Sequence, residues 1–251
     1  MATEKYIIVV AGGRGLRMGG DVPKQFLPLA GKTVLMHTLD RMAIAEPDAS
    51  LILALPHDQQ EEWMRLCEKY GYTRKHSIVD GGETRFHTVC NALAHVPQGA
   101  LVAIHDGVRP LVSATVVRNA FAVAHRCGSA IPVMPVVESL RCVVGDVSHA
   151  VDRSAYRAVQ TPQVFDSTLL KAAYSVAYRA EFTDDASVYE AAGNTITLVE
   201  GGTANIGGFA GETDRGIYVN CSAAQAPFIG KVLDSYTLND DGNGTLTVTK
   251  N

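Results

Sequence analysis

Short apolar runs alternate with longer amphipathic segments along most of this chain, and that rhythm constrains the fold more than any single residue does. Strand-like runs occupy 6–10 (YIIVV), 51–55 (LILAL), 76–79 (HSIV), 101–105 (LVAIH) and 129–137 (SAIPVMPVV). They are almost continuously apolar, the pattern of strands covered on both faces. Between them, 33–45, 58–70, 84–95 and 113–126 carry helical spacing, with Ser113 as an N-cap and Gly71 and Gly128 as stops. Strand and helix in turn predict βαβ units and an α/β fold with a doubly wound, mainly parallel sheet. Such sheets bind ligands at the carboxyl ends of their strands.

The rhythm breaks at 138–165, where two β-rich runs flank Gly145-Asp146 with charges on both sides, predicting a protruding β-hairpin arm. Helices are expected again at 167–180 and 184–192, the second introduced by the capping run Thr183-Asp184-Asp185, with a last strand at 195–199. Residues 1–206 thus read as one domain that includes the arm. Residues 207–251 are a compositionally different tail, with helical periodicity only at 222–233 and a turn with a short strand or a disordered end at its close.

Composition narrows the function. A chain of 251 residues with 47% hydrophobic and 19% charged residues can bury a sizeable core. A net charge of −4 excludes a nucleic-acid binder that works through a broad basic face, so any anion site is local. The five cysteines are odd in number and lack CxxC spacing, which fits a reducing, cytoplasmic setting better than a disulfide or zinc framework. No run approaches the ~18 apolar residues of a membrane span.

The local site is announced by AGGRGLRMGGDVPKQ, residues 11–25, which follows the first apolar run and holds five glycines and the cations Arg14, Arg17 and Lys24. The dinucleotide pattern G-x-G-x-x-G fails because Met18 stands at its sixth position. The Walker pattern fails because Phe26 stands where its first glycine belongs before Gly31-Lys32-Thr33. What remains is a loop whose backbone N–H groups, from Gly12 to Gly15, can close on a polyphosphate while Arg17 and Lys24 neutralise developing charge.

AGGRGLRM followed by PKQFLPL resembles the signature of the sugar- and polyol-phosphate nucleotidyltransferases. DGGETRFHTVCNAL (80–93), HDGVRP (105–110), VDRSAYRAVQTPQVF (151–165), TDDAS (183–187) and VEGGTANI (199–206) extend the resemblance to the 2-C-methyl-D-erythritol 4-phosphate cytidylyltransferases of the non-mevalonate isoprenoid pathway. Any one motif is weak; together, in collinear order, they cover about 6–206.

The resemblance implies a Rossmann-like nucleotidyltransferase fold and transfer of CMP from CTP to the polyol phosphate, releasing pyrophosphate, with Mg²⁺ as cofactor. It implies catalytic roles for Arg17, Lys24 and Arg153. It places the nucleotide on Ala11, Gly12, Gly13 and Gly15, with cytosine recognition by Gly81, Gly82, Arg85 and Thr88. The substrate end is implied to be Asp106, Arg109, Ser139, Arg153 and Thr161, with Asp106 also serving the metal. It further implies a homodimer in which the arm of one subunit reaches its partner's site. Read without the resemblance, Thr88 equally suits a core-facing hydroxyl, His105-Asp106 a strand end with an Asx turn, and Arg153 a salt-bridged hairpin surface.

After Asn205-Ile206 the chain departs from the family pattern: Gly207-Gly208-Phe209 stands where a lysine is expected. Two rival functions stand beside the main one. The first is a cytidylyltransferase for another polyol phosphate, such as ribitol 5-phosphate. The second is a catalytically impaired nucleotide-binding homologue, with Lys231 one candidate substitute for the missing cation.

Overall fold

The first strand, β1 (Lys5–Val10), sits near the middle of the main sheet, and its Ile7, Ile8 and Val9 are completely buried. Ile7 and Val9 face one side and Ile8 the other, so helices must cover both faces. The computed structural model describes residues 3–12, 22–200, 236–240 and 246–250, the last two stretches by backbone alone.

A small antiparallel pair, β2 (Pro28–Leu29) and β3 (Lys32–Thr33), leads into α1 (Val34–Ala45), capped by the Thr33 hydroxyl. Then follow β4 (Ser50–Leu55), α2 (His57–Lys69), β5 (Ser77–Asp80), α3 (Arg85–Leu93), β6 (Leu101–Asp106), α4 (Ala114–Cys127) and β7 (Ser129–Pro135). β1 pairs in parallel with β4 and β6, and β4 in parallel with β5. Both predicted glycine stops are used. Gly71, at φ +59°, closes α2 with a Schellman pair: Tyr72 N–H donates to Cys67 C=O at 2.8 Å and Gly71 N–H to Glu68 C=O at 3.1 Å. Gly128, at φ +84°, ends α4, whose first turn the Ser113 side chain caps.

The segment expected to be one arm divides in two. Only β8 (Arg141–Val144) and β9 (Val147–Ala150) form an exposed hairpin. The rest returns to the sheet: β10 (Arg157–Val159) and β11 (Gln163–Asp166) run antiparallel to β7, and β11 also runs antiparallel to β6. The reason is burial, since Val164 and Phe165 are completely inaccessible and hold β11 in the core. Burying such side chains contributes roughly 1.5–3 kcal/mol each.

The helices α5 (Ser167–Ala173) and α6 (Asp185–Ala191) follow, both shorter than the periodicity predicts, and β12 (Leu198–Glu200) pairs in parallel with β7. Finally β13 (Tyr236–Asp240) and β14 (Leu246–Lys250) form an antiparallel pair in the tail. One core packs Ile7, Val9 and Leu53 against α1, α2 and α4, through Leu35, Trp63 and Phe121. The other packs Ile8, Val102 and Phe165 against α3, α5 and α6, through Phe86, Leu170 and Tyr189. The fold is the doubly wound, mainly parallel sheet that the sequence predicts, with antiparallel strands inserted on one side.

Candidate active site

Nine of the predicted site residues converge where β1, β5 and β6 end. β1 delivers Ala11, which is buried and whose N–H donates to Ala54 C=O at 2.9 Å. The Gln25 amide, buried beneath it, donates to Ala11 C=O at 2.9 Å and to Gln59 Oε1 at 2.7 Å. Gln25 follows Lys24, the first residue of a short 3-10 turn (Lys24–Phe26), so the turn carrying Lys24 is tied to the end of β1. Gly13, Gly15 and Arg17 lie outside the described residues.

β5 leads into Gly81-Gly82, and α3 starts soon after, behind a Thr84 cap that accepts from His87 N–H. The Thr88 hydroxyl organises this turn, accepting from Gly82 N–H at 2.9 Å and donating to Thr84 C=O at 2.9 Å. Thr88 is buried, as its core-facing reading expects, yet its hydroxyl oxygen lies near Gly12: a Cβ built on Gly12 would lie 3.7 Å from it. Gly82 tolerates no side chain, because a Cβ there would lie 2.4 Å from His87 Cβ and 2.8 Å from the His87 carbonyl carbon. These glycines allow backbone to approach backbone, and they leave a shallow floor at the helix N-terminus.

β6 delivers His105 and Asp106. Asp106 Oδ2 accepts from Arg109 Nε at 2.8 Å, and Arg85 Nε lies 3.7 Å from Oδ1. Arg109 also donates to Gln160 Oε1 at 2.8 Å. Burial alone would raise the Asp106 carboxyl, but the Arg85 and Arg109 guanidiniums outweigh it and hold it below the usual aspartate value. Arg85 donates to Asp185 Oδ2 at 2.6 Å. Burial opposes its charge, yet the Asp185 and Asp106 carboxylates overcome that and raise it above the ordinary arginine value.

Behind this ion chain His105 is wholly buried. Its Nε2 lies 3.0 Å from Arg109 C=O, which can only accept, so Nε2 carries the proton and Nδ1 accepts from the Thr161 hydroxyl at 2.9 Å. Thr161 Oγ1 in turn receives Asp106 N–H at 3.4 Å. The Thr161 hydroxyl is thus engaged in fixing His105 and Asp106. Burial pushes the His105 imidazole down to about 4. Gly107, next in line, is squeezed too: a Cβ there would lie 3.0 Å from Leu35 Cδ1 and 3.1 Å from Ala11 Cβ.

The structure brings Ala11, Gly12, Gly81, Gly82, Arg85, Thr88, Asp106, Arg109 and Thr161 to the strand ends. Ser139 and Arg153 lie instead at the base of the arm, both exposed, with Arg153 donating to Val137 C=O. The residues that sequence reasoning missed are Gln25, His105, Gln160 and Asp185. The tandem Asp184-Asp185 was the available signal, because one aspartate suffices for a cap. A groove of about 890 Å³ lies elsewhere, lined by Lys32, Asp40, Tyr72 and Arg74 and by Ser50 and Ser77, the first residues of β4 and β5. It is at the amino ends of those strands, away from this cluster.

Residues 6–207 match the protein family described as 2-C-methyl-D-erythritol 4-phosphate cytidylyltransferase. The chain belongs to that cytidylyltransferase family. It is similar to the 2-C-methyl-D-erythritol 4-phosphate cytidylyltransferase of Phocaeicola vulgatus, 50% identical over 203 residues that span 81% of this chain and 93% of the relative. The enzyme of the same name from Porphyromonas gingivalis is 51% identical over 207 residues, covering 82% and 92%. Among solved structures, that of the Thermus thermophilus cytidylyltransferase superposes with a TM-score of 0.59 at 32% identity, covering 81% of this chain and 90% of that one. The match to the cytidylyltransferase family stops near the start of the tail, so the departure at Gly207 lies at its edge.

Proposed function

We propose that the chain transfers CMP from CTP to 2-C-methyl-D-erythritol 4-phosphate, giving 4-diphosphocytidyl-2-C-methyl-D-erythritol and pyrophosphate. The observation that carries this reading is the convergence of two different surfaces at the ends of β1, β5 and β6. One is a side-chain-poor floor suited to a pyrimidine. The other is a carboxylate set between guanidiniums, suited to a hydroxylated phosphate ester.

The cytosine edge lies against Gly81-Gly82, where only a small base fits over the glycine backbone, and the remaining lone pair of Thr88 accepts from it. The triphosphate lies between Gly12 and Lys24, and the family resemblance assigns Gly13, Gly15 and Arg17, outside the described residues, to the same ligand. The polyol phosphate takes its place over Asp106 and Arg109. One of its phosphate oxygens attacks the α-phosphorus in line, the α–β bridging bond breaks, and pyrophosphate leaves with that electron pair. Positioning and charge neutralisation dominate such a reaction.

Mg²⁺ enters with the triphosphate in this reading. Among the described residues no cluster of three metal-ligating side chains exists. An ion that keeps most of its waters and binds phosphate needs only one or two carboxylates. Asp106 Oδ1, left with only the long Arg85 contact among the described residues, supplies one. Bound there, the ion would neutralise phosphate charge.

The arm supports a homodimer: Val144 and Val147, paired across the hairpin, are each 71% exposed. Apolar side chains grouped in this way mark a contact surface. Pairing two arms would bring Arg153 and Ser139 of one protomer to its partner's site. A cytoplasmic setting agrees with the four free cysteines among the described residues. No helix among them is long and apolar enough to cross a membrane.

The test is pyrophosphate release from CTP and Mg²⁺ with 2-C-methyl-D-erythritol 4-phosphate or ribitol 5-phosphate. Release with the first and much less with the second is expected, and Lys24→Ala should lower kcat by roughly 10²- to 10³-fold. Preference for ribitol 5-phosphate, or CTP binding without release, would overturn the assignment.

A further inference from the structure

Asp185 is completely buried, and its role is not that of a cap. Asp184 already forms the capping box of α6, its side chain accepting from Ser187 N–H while the Ser187 side chain receives the Asp184 N–H. A second, buried carboxylate at this point is costly unless matched by specific partners. Asp185 has two: Arg85 donates to Oδ2 and the Tyr174 phenol to Oδ1, each at 2.6 Å. Tyr174 is itself fixed by Phe86, stacked at 4.7 Å between ring centroids, and Phe86 stacks in turn on Phe182 at 5.7 Å.

The consequence appears at Asp106. Arg85 lies within 2.6 Å of Asp185 but only within 3.7 Å of Asp106, beyond hydrogen-bond distance. Asp106 Oδ2 is taken by Arg109, so the hold of Asp185 on Arg85 is what leaves Oδ1 open. We propose that Asp185, set by Tyr174, is a positioning residue that draws Arg85 away from Asp106 and so keeps one oxygen of Asp106 available to the polyol phosphate and its metal. The inference rests on the transfer reaction proposed above and adds two residues to it, neither of which touches substrate. Without the Asp185 charge, Arg85 turns to the remaining carboxylate, closes on Oδ1, and makes a two-sided arginine clamp where the substrate belongs.

The experiment compares Asp185→Asn, Tyr174→Phe and Arg85→Lys, with the double variant Asp185→Asn/Arg85→Lys, in pyrophosphate release. Asp185→Asn should raise KM for the polyol phosphate by roughly 10- to 100-fold, as misplacement of a contact by about 1 Å does, and raise KM for CTP by much less. Tyr174→Phe should act in the same direction and less strongly, and it carries the test by itself should Asp185→Asn fail to fold. On the Arg85→Lys background, Asp185→Asn should add nothing. Equal rises in both KM values, or additive losses in the double variant, would overturn the proposal.

A crystal structure of Asp185→Asn, or of Tyr174→Phe in its place, gives a readout that needs no turnover. Arg85 should move within hydrogen-bond distance of Asp106 Oδ1, and an unmoved Arg85 would contradict the clamp. Absence of pyrophosphate release by the unaltered chain would remove the proposed reaction, leaving the clamp to be decided by this structure alone.

Discussion

The end of β6 and the β8–β9 arm treat their side chains in opposite ways. At the end of β6, His105 has both ring nitrogens engaged, Arg109 bridges Asp106 and Gln160, and Arg85 spans two carboxylates. In the arm all eight strand residues are exposed, and its valines meet no core. The first region is organised before any ligand arrives, as electrostatic catalysis requires. The second leaves apolar surface uncovered, as a partner-binding element does. The difference separates two kinds of sensitivity: changes at the strand ends should damage chemistry and stability, and changes in the arm should damage assembly.

The sharpest way to break that contrast is Arg109→Ala. It removes the hydrogen bond from Arg109 Nε to Asp106 Oδ2 and releases Gln160. Loss of a fixed cation from the proposed phosphoryl-transfer site should lower kcat/KM by roughly 10²- to 10³-fold, read as pyrophosphate release. A loss no larger than that of an arm variant would erase the distinction.

Next in size is the buried imidazole. The folded value for His105 is about 4, below the ordinary imidazole value of 6.5. Between those two pH values the unfolded chain binds a proton that the folded chain does not, so stability rises with pH across the window. The contribution is fully present above pH 6.5 and is lost as pH falls toward 4. It amounts to about 3 kcal/mol, at about 1.4 kcal/mol per pH unit. Denaturant unfolding without nucleotide or metal should therefore show an acid loss that is smaller by about that amount in His105→Asn. Parallel curves would place the acid sensitivity elsewhere.

Gly82→Ala comes third. The new methyl would press on His87 at the first turn of α3, and such overpacking costs about 1–3 kcal/mol. A lower Tm together with a raised KM for CTP is expected, and normal CTP binding would separate the turn from the nucleotide. The smallest effect on the fold belongs to the arm. Val144→Asp with Val147→Asp should change unfolding free energy by only about 0.5 kcal/mol, as exposed substitutions do, yet convert the proposed dimer to monomers in sedimentation. Persistence of a dimer would assign assembly to another surface.

Particular residues show what the sequence made legible. The apolar strands, the Ser113 and Asp184 caps and the Gly71 and Gly128 stops are local signals, and all appear where one-dimensional reasoning puts them. β11 was illegible as a core strand because its first residue, Gln163, is polar. That amide is nonetheless buried, donating to Asp184 Oδ2 and accepting from Ala186 N–H, partners about twenty residues away. The glycine turn and Asp106 were legible by motif, whereas Asp185 was not. Its meaning depends on Arg85, 100 residues earlier in the chain, a contact that only the packing of α3 against α5 and α6 creates.

The central claim is that base and acceptor meet at the ends of β1, β5 and β6. A crystal structure of the protein with CTP, Mg²⁺ and 2-C-methyl-D-erythritol 4-phosphate tests it most directly. Cytosine against Gly81-Gly82 and Thr88, with the polyol over Asp106 and Arg109, is the predicted result. Nucleotide lodged instead in the groove beside Lys32, Tyr72 and Arg74 would contradict it.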